Sequence, residues 1–198
     1  MTSQPPPKSP ELLTADKSRL VIIDVQQKFV PVVPKISQVI GNCVKLLKGA
    51  QLLGVPCDAA EQYPQGLGAT VEQLAGYLPN RPAKLRFSAA PSFPWWSDPQ
   101  DATRERYQVV VAGIETHVCV LQTVFDLMAR GFEVFVVVDS VNGRLPLDHE
   151  IALKRMADAG ARLVTTEMVL FEWCEAAGTD VFKQLSRIIT GRDQPVTQ

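Results

Sequence analysis

The chain has 198 residues, 46% of them hydrophobic, with 20 Lys and Arg set against 21 Asp and Glu. That length accommodates one sizeable core and leaves little room for a second. The near-zero charge is not gathered into blocks of one sign, so it offers no footprint for a nucleic-acid backbone or an anionic membrane. The longest apolar runs, such as residues 134–138, fall far short of the roughly 18 residues a transmembrane helix needs.

Residues 1–12 carry Pro5, Pro6, Pro7 and Pro10 among polar neighbours. Such a segment cannot bury enough apolar surface to offset its ordering entropy, so a flexible lead is expected there. It has neither the apolar stretch of a signal peptide nor the Arg-rich pattern of a transit peptide, which makes a cytoplasmic location the default expectation. One folded domain is expected over 13–190, followed by a flexible tail over 191–198.

Within the domain, residues 20–24, 107–112 and 132–139 are short runs rich in Val and Ile. Unbroken apolar runs of this length, without strict alternation, read as strands covered on both faces, the habit of parallel sheets between helices. Ile36, Ile40, Cys43, Leu47 and Ala50 share one helical face that Gly54 and Pro56 terminate, and a weak strand at 55–60 follows. A second helix is expected over 116–130, with Val120, Val124 and Met128 on one face and Gly131 as its stop. A third covers 146–159 and closes at Gly160. The strand–helix–strand repetition predicts a three-layer α/β sandwich with right-handed crossovers. Between 79 and 99, five prolines with Trp95 and Trp96 break regular structure into short pieces. This segment is either a loop over a site or a surface connection whose aromatics cover the core.

In an open parallel sheet, ligands bind beyond the carboxyl ends of the strands where the strand order reverses. Asp24 directly follows Leu20, Val21, Ile22 and Ile23, an awkward place for a charge that serves nothing at the strand's end. Cys119 lies a few residues past the strand ending near Ala112, in the expected first turn of a helix capped by Thr116. There the unpaired N–H groups and the helix dipole should favour the thiolate, lowering the thiol pKa from its usual value of about 8.5. That makes Cys119 the best nucleophile candidate; the plain alternative is a small buried hydrophobe. Cys43, Cys57 and Cys174 fit that plainer reading, and the wide spacing of the four argues against a disulfide framework or a paired zinc site.

Three stretches then stand out together: Leu20-Val21-Ile22-Ile23-Asp24-Val25-Gln26-Gln27-Lys28-Phe29, Lys84-Leu85-Arg86-Phe87-Ser88-Ala89, and Gly113-Ile114-Glu115-Thr116-His117-Val118-Cys119-Val120. In order and spacing they resemble the signature stretches of the isochorismatase-like cysteine hydrolases, over about residues 18–190. Glu61-Gln62-Tyr63-Pro64-Gln65-Gly66-Leu67-Gly68 resembles in particular the isochorismatase domain-containing subgroup. The resemblance implies a mostly parallel, doubly wound six-stranded sheet in the order 3-2-1-4-5-6, with a catalytic triad at Asp24, Lys84 and Cys119. It implies a cis peptide at Ile114-Glu115 and an oxyanion hole made by the backbone N–H groups of Glu115 and Cys119. Asp24 would accept the thiol proton, Lys84 would hold the carboxylate, and Cys119 would form a covalent intermediate that water hydrolyses. By position alone Lys84 reads as a solvated surface lysine. Gln26 and Phe29 either line the substrate pocket or serve as a strand-end polar residue and a core aromatic.

Relatives of the nicotinamidase type hold a metal with an Asp and nearby histidines after the second strand. Here Asp58-Ala59-Ala60-Glu61-Gln62 has no histidine near it in sequence, and neither His117 nor His149 is placed as a ligand. No metal or other cofactor is expected. The implied activity is metal-independent hydrolysis of a small amide, ester or enol ether by a homo-oligomer, dimer or tetramer, with no nucleic-acid or membrane partner. The alternatives are a family member that binds a protein partner with little or no catalysis, and a redox-responsive thiol protein using Cys119.

Overall fold

The structure is a computed structural model and describes residues 8–96 and 105–192. Six parallel strands make one sheet in the order β3-β2-β1-β4-β5-β6. They are β1 (Ser18–Ile23), β2 (Cys57–Gln62), β3 (Ala83–Lys84), β4 (Gln108–Ile114), β5 (Glu133–Asn142) and β6 (Arg162–Val164). The helices are α1 (Ile36–Leu53), α2 (Pro64–Leu67), α3 (Glu72–Ala75), α4 (Leu121–Ala129), α5 (Pro146–Asp158), α6 (Thr166–Cys174) and α7 (Asp180–Thr190).

All six residues of β1 and all seven of β4 are buried, as their unbroken apolar runs require. Alternate side chains still go to opposite faces. Leu20, Ile22, Val110, Ala112 and Ile114 join the core formed with α1, α6 and α7. Val21, Ile23, Val109 and Val111 join a second core with residues of α4 and α5. These two cores on either side of one sheet are the three layers the sequence pattern predicts.

Four helices, α2, α3, α6 and α7, and two strands go beyond the elements read from apolar spacing. Strands β3 and β6 are only two and three residues long and exist because a longer neighbour offers a free edge. Helix α6 carries Met168, Val169, Leu170, Phe171 and Trp173, an apolar set too broad for a single stripe. Its start is set locally: the Thr165 hydroxyl accepts from the Met168 N–H at 3.4 Å, and Thr179 caps α7 in the same way at 3.0 Å. Of the expected lead, residues 1–7 lie outside the described residues. Lys8 donates from Nζ to the carbonyls of Leu13 and Glu172 and to Glu175 on the α6 side. Of the tail, residues 193–198 lie outside the described residues.

The proline-rich segment divides between its two readings. Its first part contributes Lys84 and the carbonyls around it to the candidate site. Its later part covers core: Phe93 and Trp95 are buried and stacked at 5.2 Å, and Trp95 Nε1 donates to Asp58 at 2.7 Å. Positions 97–99 lie outside the described residues.

Candidate functional site

The strand order reverses between β1 and β4, where Ile23 is in register with Gly113. Gly113 has φ +122°, and a Cβ there would stand 2.1 Å from the Ile23 carbonyl oxygen. Only glycine permits that approach. It brings the ends of the two strands together, so that Asp24 after β1 and the turn after β4 share one corner of the sheet. The turn begins at a cis Ile114-Glu115 peptide and continues as a π-helical turn, Thr116–Val120, that runs directly into α4. Cys119 lies inside it, 5% exposed.

Lys84 reaches this corner from β3. Strands β3 and β1 are separated by β2, a lateral gap of about 10 Å at the usual strand spacing, which the lysine stem, the hydrogen bond and the Asp24 side chain span together. The Lys84 ammonium donates to Asp24 Oδ2 at 2.7 Å, to Gln62 Oε1 at 2.7 Å, and to the carbonyls of Phe87 and Arg86 at 2.8 and 3.3 Å. Both charged side chains are almost wholly buried, 3% exposed for Lys84 and 1% for Asp24. Asp24 Oδ1 is buried with no hydrogen-bond partner among the described residues. The Cys119 thiol faces Gln62 Oε1 at 3.9 Å. Asp24, Lys84 and Cys119, distant in sequence, are therefore one buried cluster with Gln62 at its centre.

The electrostatics correct one expectation. The Cys119 thiol is pushed up from its ordinary value, not lowered: burial is the larger cause and the Asp24 carboxylate adds to it, with Lys84 opposing. Thr116 does not cap the helix, and no side chain does at that end. Its hydroxyl is instead hydrogen-bonded to His149 Nδ1 at 2.9 Å. Burial likewise raises the Asp24 carboxyl, against the lowering effect of Lys84. The Cys43 and Cys57 thiols are also pushed up, each to about 12, chiefly by burial.

Of the remaining candidates, Glu115 is 6% exposed and its side chain accepts from Arg144 Nε at 2.8 Å and from the Arg144 N–H at 3.2 Å. Its carbonyl accepts from the N–H groups of Val118 and Val120, which closes the turn. Gln26 is fully buried; its amide donates to the carbonyls of Gln62 and Gly68 and accepts from the Gln62 N–H. That geometry is the strand-end polar reading, a bracket under Gln62. Phe29 packs against the core on the α1 side, whereas Cys119 belongs to the core on the other face. His117 Nε2 stands 3.7 Å from Asp148. The two carboxylates on β2 are already engaged: Asp58 by Trp95 and Arg19, and Glu61 by Thr70 and Arg81.

The model of the isochorismatase domain family matches residues 18–168. The chain belongs to the isochorismatase domain family. It is 38% identical to human isochorismatase domain-containing protein 2 over 173 residues, covering 87% of this chain and 82% of that protein. It is 36% identical to mouse isochorismatase domain-containing protein 2A over 174 residues, covering 88% and 83%. Among solved structures it resembles one described as MAR1 ribonuclease from Caenorhabditis elegans, with TM-score 0.82 and 34% identity over 94% of this chain and 96% of that one.

Within this isochorismatase domain, the residue that sequence reasoning passed over is Gln62. It closes β2 and touches both Lys84 and Cys119. A signal was available: in a 3-2-1-4 sheet, the last residue of strand 2 stands between strand 3 and strand 1, so a polar side chain there must lie between Lys84 and Asp24.

Proposed function

We propose that this chain is a metal-independent cysteine hydrolase that cleaves a small amide or ester through a covalent thioester, with an enol ether as the related substrate class. The observation that carries the reading is the buried Lys84–Asp24 ion pair at 2.7 Å beside a buried thiol at the switch point of the sheet. A charge pair at such depth has a desolvation cost that plain stability does not require.

In the proposed sequence, Asp24 takes the Cys119 proton as sulfur bonds to the substrate carbonyl carbon. The proton then passes to the departing amine or alkoxide as the C–N or C–O bond breaks. Water, deprotonated by Asp24, attacks the thioester, and Cys119 leaves as a thiol. A base whose pKa is raised by burial is matched to this work better than an exposed carboxylate. Lys84 keeps the carboxylate charged and oriented, with Gln62 fixing the ammonium from the other side. The N–H groups of Glu115 and Cys119 are proposed as the oxyanion donors. Assembly into a homo-oligomer belongs to the same proposal and is read by light scattering.

Two observations weigh against other chemistries at this site. A redox-sensing thiol works as an exposed thiolate, whereas Cys119 is buried and its pKa raised. Phosphodiester cleavage, which the description of the C. elegans structure brings to mind, calls for cations at the scissile phosphate, whereas Lys84 is already surrounded by four acceptors. The test is a screen of small amides and esters, with an RNA substrate in parallel. Turnover of a carbonyl compound that Cys119→Ala removes supports the reading. Cleavage of RNA alone, or turnover surviving in Cys119→Ala, overturns it.

A further inference from the structure

The turn that carries Cys119 is held from the side by the first turn of α5 and the loop before it. Arg144 binds the Glu115 carboxylate through both its backbone and its guanidinium. Gly143 lies against the His117 ring so closely that a Cβ would stand 3.0 Å from His117 Nδ1. One turn further on, His149 Nδ1 is hydrogen-bonded to Thr116 Oγ1 at 2.9 Å, and Thr116 is fully buried. Thr116 is the first residue of the π-helical turn and Cys119 the fourth. Neither His149 nor Thr116 touches Asp24, Lys84 or Gln62 by hydrogen bond among the described residues, so the triad chemistry leaves this contact unexplained.

A π-helical turn is rare and occurs mostly as a single turn joined to an α-helix, frequently at functional sites. The turn has no capping side chain of its own. Its first hydroxyl is tied across to α5, and its nucleophile carbonyl accepts from Thr123 Oγ1 at 2.6 Å. We infer that His149 is a positioning residue: through Thr116 it holds the π-helical turn in the register that keeps the Cys119 thiol against Asp24 and Gln62. The inference rests on Cys119 being the nucleophile of the proposed hydrolase.

The surroundings keep the imidazole in the form that fits this role. Burial lowers the His149 pKa, His117 on the turn lowers it further, and neighbouring Glu150 opposes both. Asp148 on the same helix pairs with His117. From the other side, His149 lines a cavity of about 320 Å³ together with Lys35, Gln38, Asp139 and Asn142. Neutral imidazole accepts from the Thr116 hydroxyl in one tautomer and donates to it in the other, and an asparagine amide can place an oxygen or nitrogen close to the position of Nδ1.

The experiment compares His149→Leu, His149→Asn, Thr116→Val and the His149→Leu/Thr116→Val double variant. The rate of iodoacetamide labelling is read peptide by peptide at pH 7. Released from the turn, the thiol spends more of its time away from the carboxylate that raises its pKa and labels faster. His149→Leu and Thr116→Val are each expected to speed Cys119 labelling about tenfold, the size of one lost hydrogen bond. Cys43, which is wholly buried in the opposite core, should stay unlabelled, since only global unfolding exposes it. The double variant should match either single one, because both break the same bond, and His149→Asn should return the rate to within about threefold of the parent. Where a turned-over substrate is in hand, kcat should fall with KM unchanged. Unaltered Cys119 labelling, additive effects, or Cys43 labelling that rises in parallel would each overturn the inference. Absence of turnover in the parent protein would sink the hydrolase reading alone, because the labelling arm needs no substrate.

Discussion

Replacing Lys84 by Met tests whether the ammonium is what keeps Asp24 charged. At 2.7 Å and an effective dielectric constant of about 20, the Coulomb attraction between the two groups is about 6 kcal/mol. Removing one partner of a buried pair costs about 3 to 5 kcal/mol, because the other charge is left unpaired. What remains to Asp24 is neutral, the Cys119 thiol and the Gln62 backbone, while Oδ2 loses the ammonium. Its carboxyl, already raised by burial, must rise further in the variant and bind a proton at higher pH. A group whose folded pKa lies above its unfolded value stabilises most below the unfolded pKa, and that stability is lost as pH climbs toward the folded pKa. The deficit of Lys84→Met relative to the parent should therefore be smallest at acid pH, where both carboxyls are protonated, and grow by up to about 1.4 kcal/mol per pH unit between the Asp24 pKa of the parent and the higher one of the variant. The assay is urea unfolding at several pH values. Adding Asp24→Asn should restore part of the loss at pH 8, because a neutral amide has no charge to strand. A deficit that is constant across pH, or a double variant weaker than Lys84→Met, would refute the reasoning.

Cys119→Ala should abolish turnover while shifting unfolding free energy by no more than about 1 kcal/mol, as measured by denaturant titration. Gly113→Ala should cost about 4 kcal/mol or more, or prevent soluble expression, since its Cβ would press on the Ile23 carbonyl at a φ that side chains avoid; a melting temperature near the parent's would contradict the packing at the switch point. Trp95→Phe keeps the stack on Phe93 but leaves Asp58 without its indole donor, a loss of about 1 to 3 kcal/mol readable by thermal melts.

The long, doubly buried strands were the legible part of the fold. The runs in β1, β4 and β5 carry their own signal, whereas β3 and β6 are too short to show any periodicity and form only on a neighbour's edge. Helices α6 and α7 were obscured for different reasons. The first is apolar on several faces because it packs against α1, β5 and α7, and the second follows a threonine cap that composition alone does not distinguish from a loop. In the site, Asp24 and Cys119 could be picked out because a charge and a thiol directly follow apolar strands. Lys84 could not: nothing local separates it from a solvated lysine, and its role depends on the strand order, which the family resemblance supplied. Gln62 was missed because its partners come from three other segments.

The thiol also shows where local reasoning about charge stops. A helix N-terminus offers about 0.3 to 1 kcal/mol to an anion, too little to outweigh burial and an adjacent carboxylate. The site has a different solution. Neutral thiol, carboxylate and ammonium sum to zero charge; thiolate, protonated carboxyl and ammonium also sum to zero. Moving the proton from Cys119 to Asp24 thus creates no net buried charge, and Lys84 keeps the sum at zero in both states. The transfer takes no proton from solvent either, so external pH has little leverage on it. Labelling of Cys119 by a neutral haloacetamide should be slow and nearly flat between pH 6 and 8, where an ordinary thiol gains about tenfold per unit up to its pKa near 8.5. Asp24→Asn removes the internal acceptor and leaves the thiol beside Lys84, so its labelling should rise steeply with pH and overtake the parent while turnover disappears. A parent protein that labels like an ordinary thiol, climbing tenfold per unit to a plateau near 8.5, would mean that the proton leaves to solvent and that Asp24 is not its acceptor.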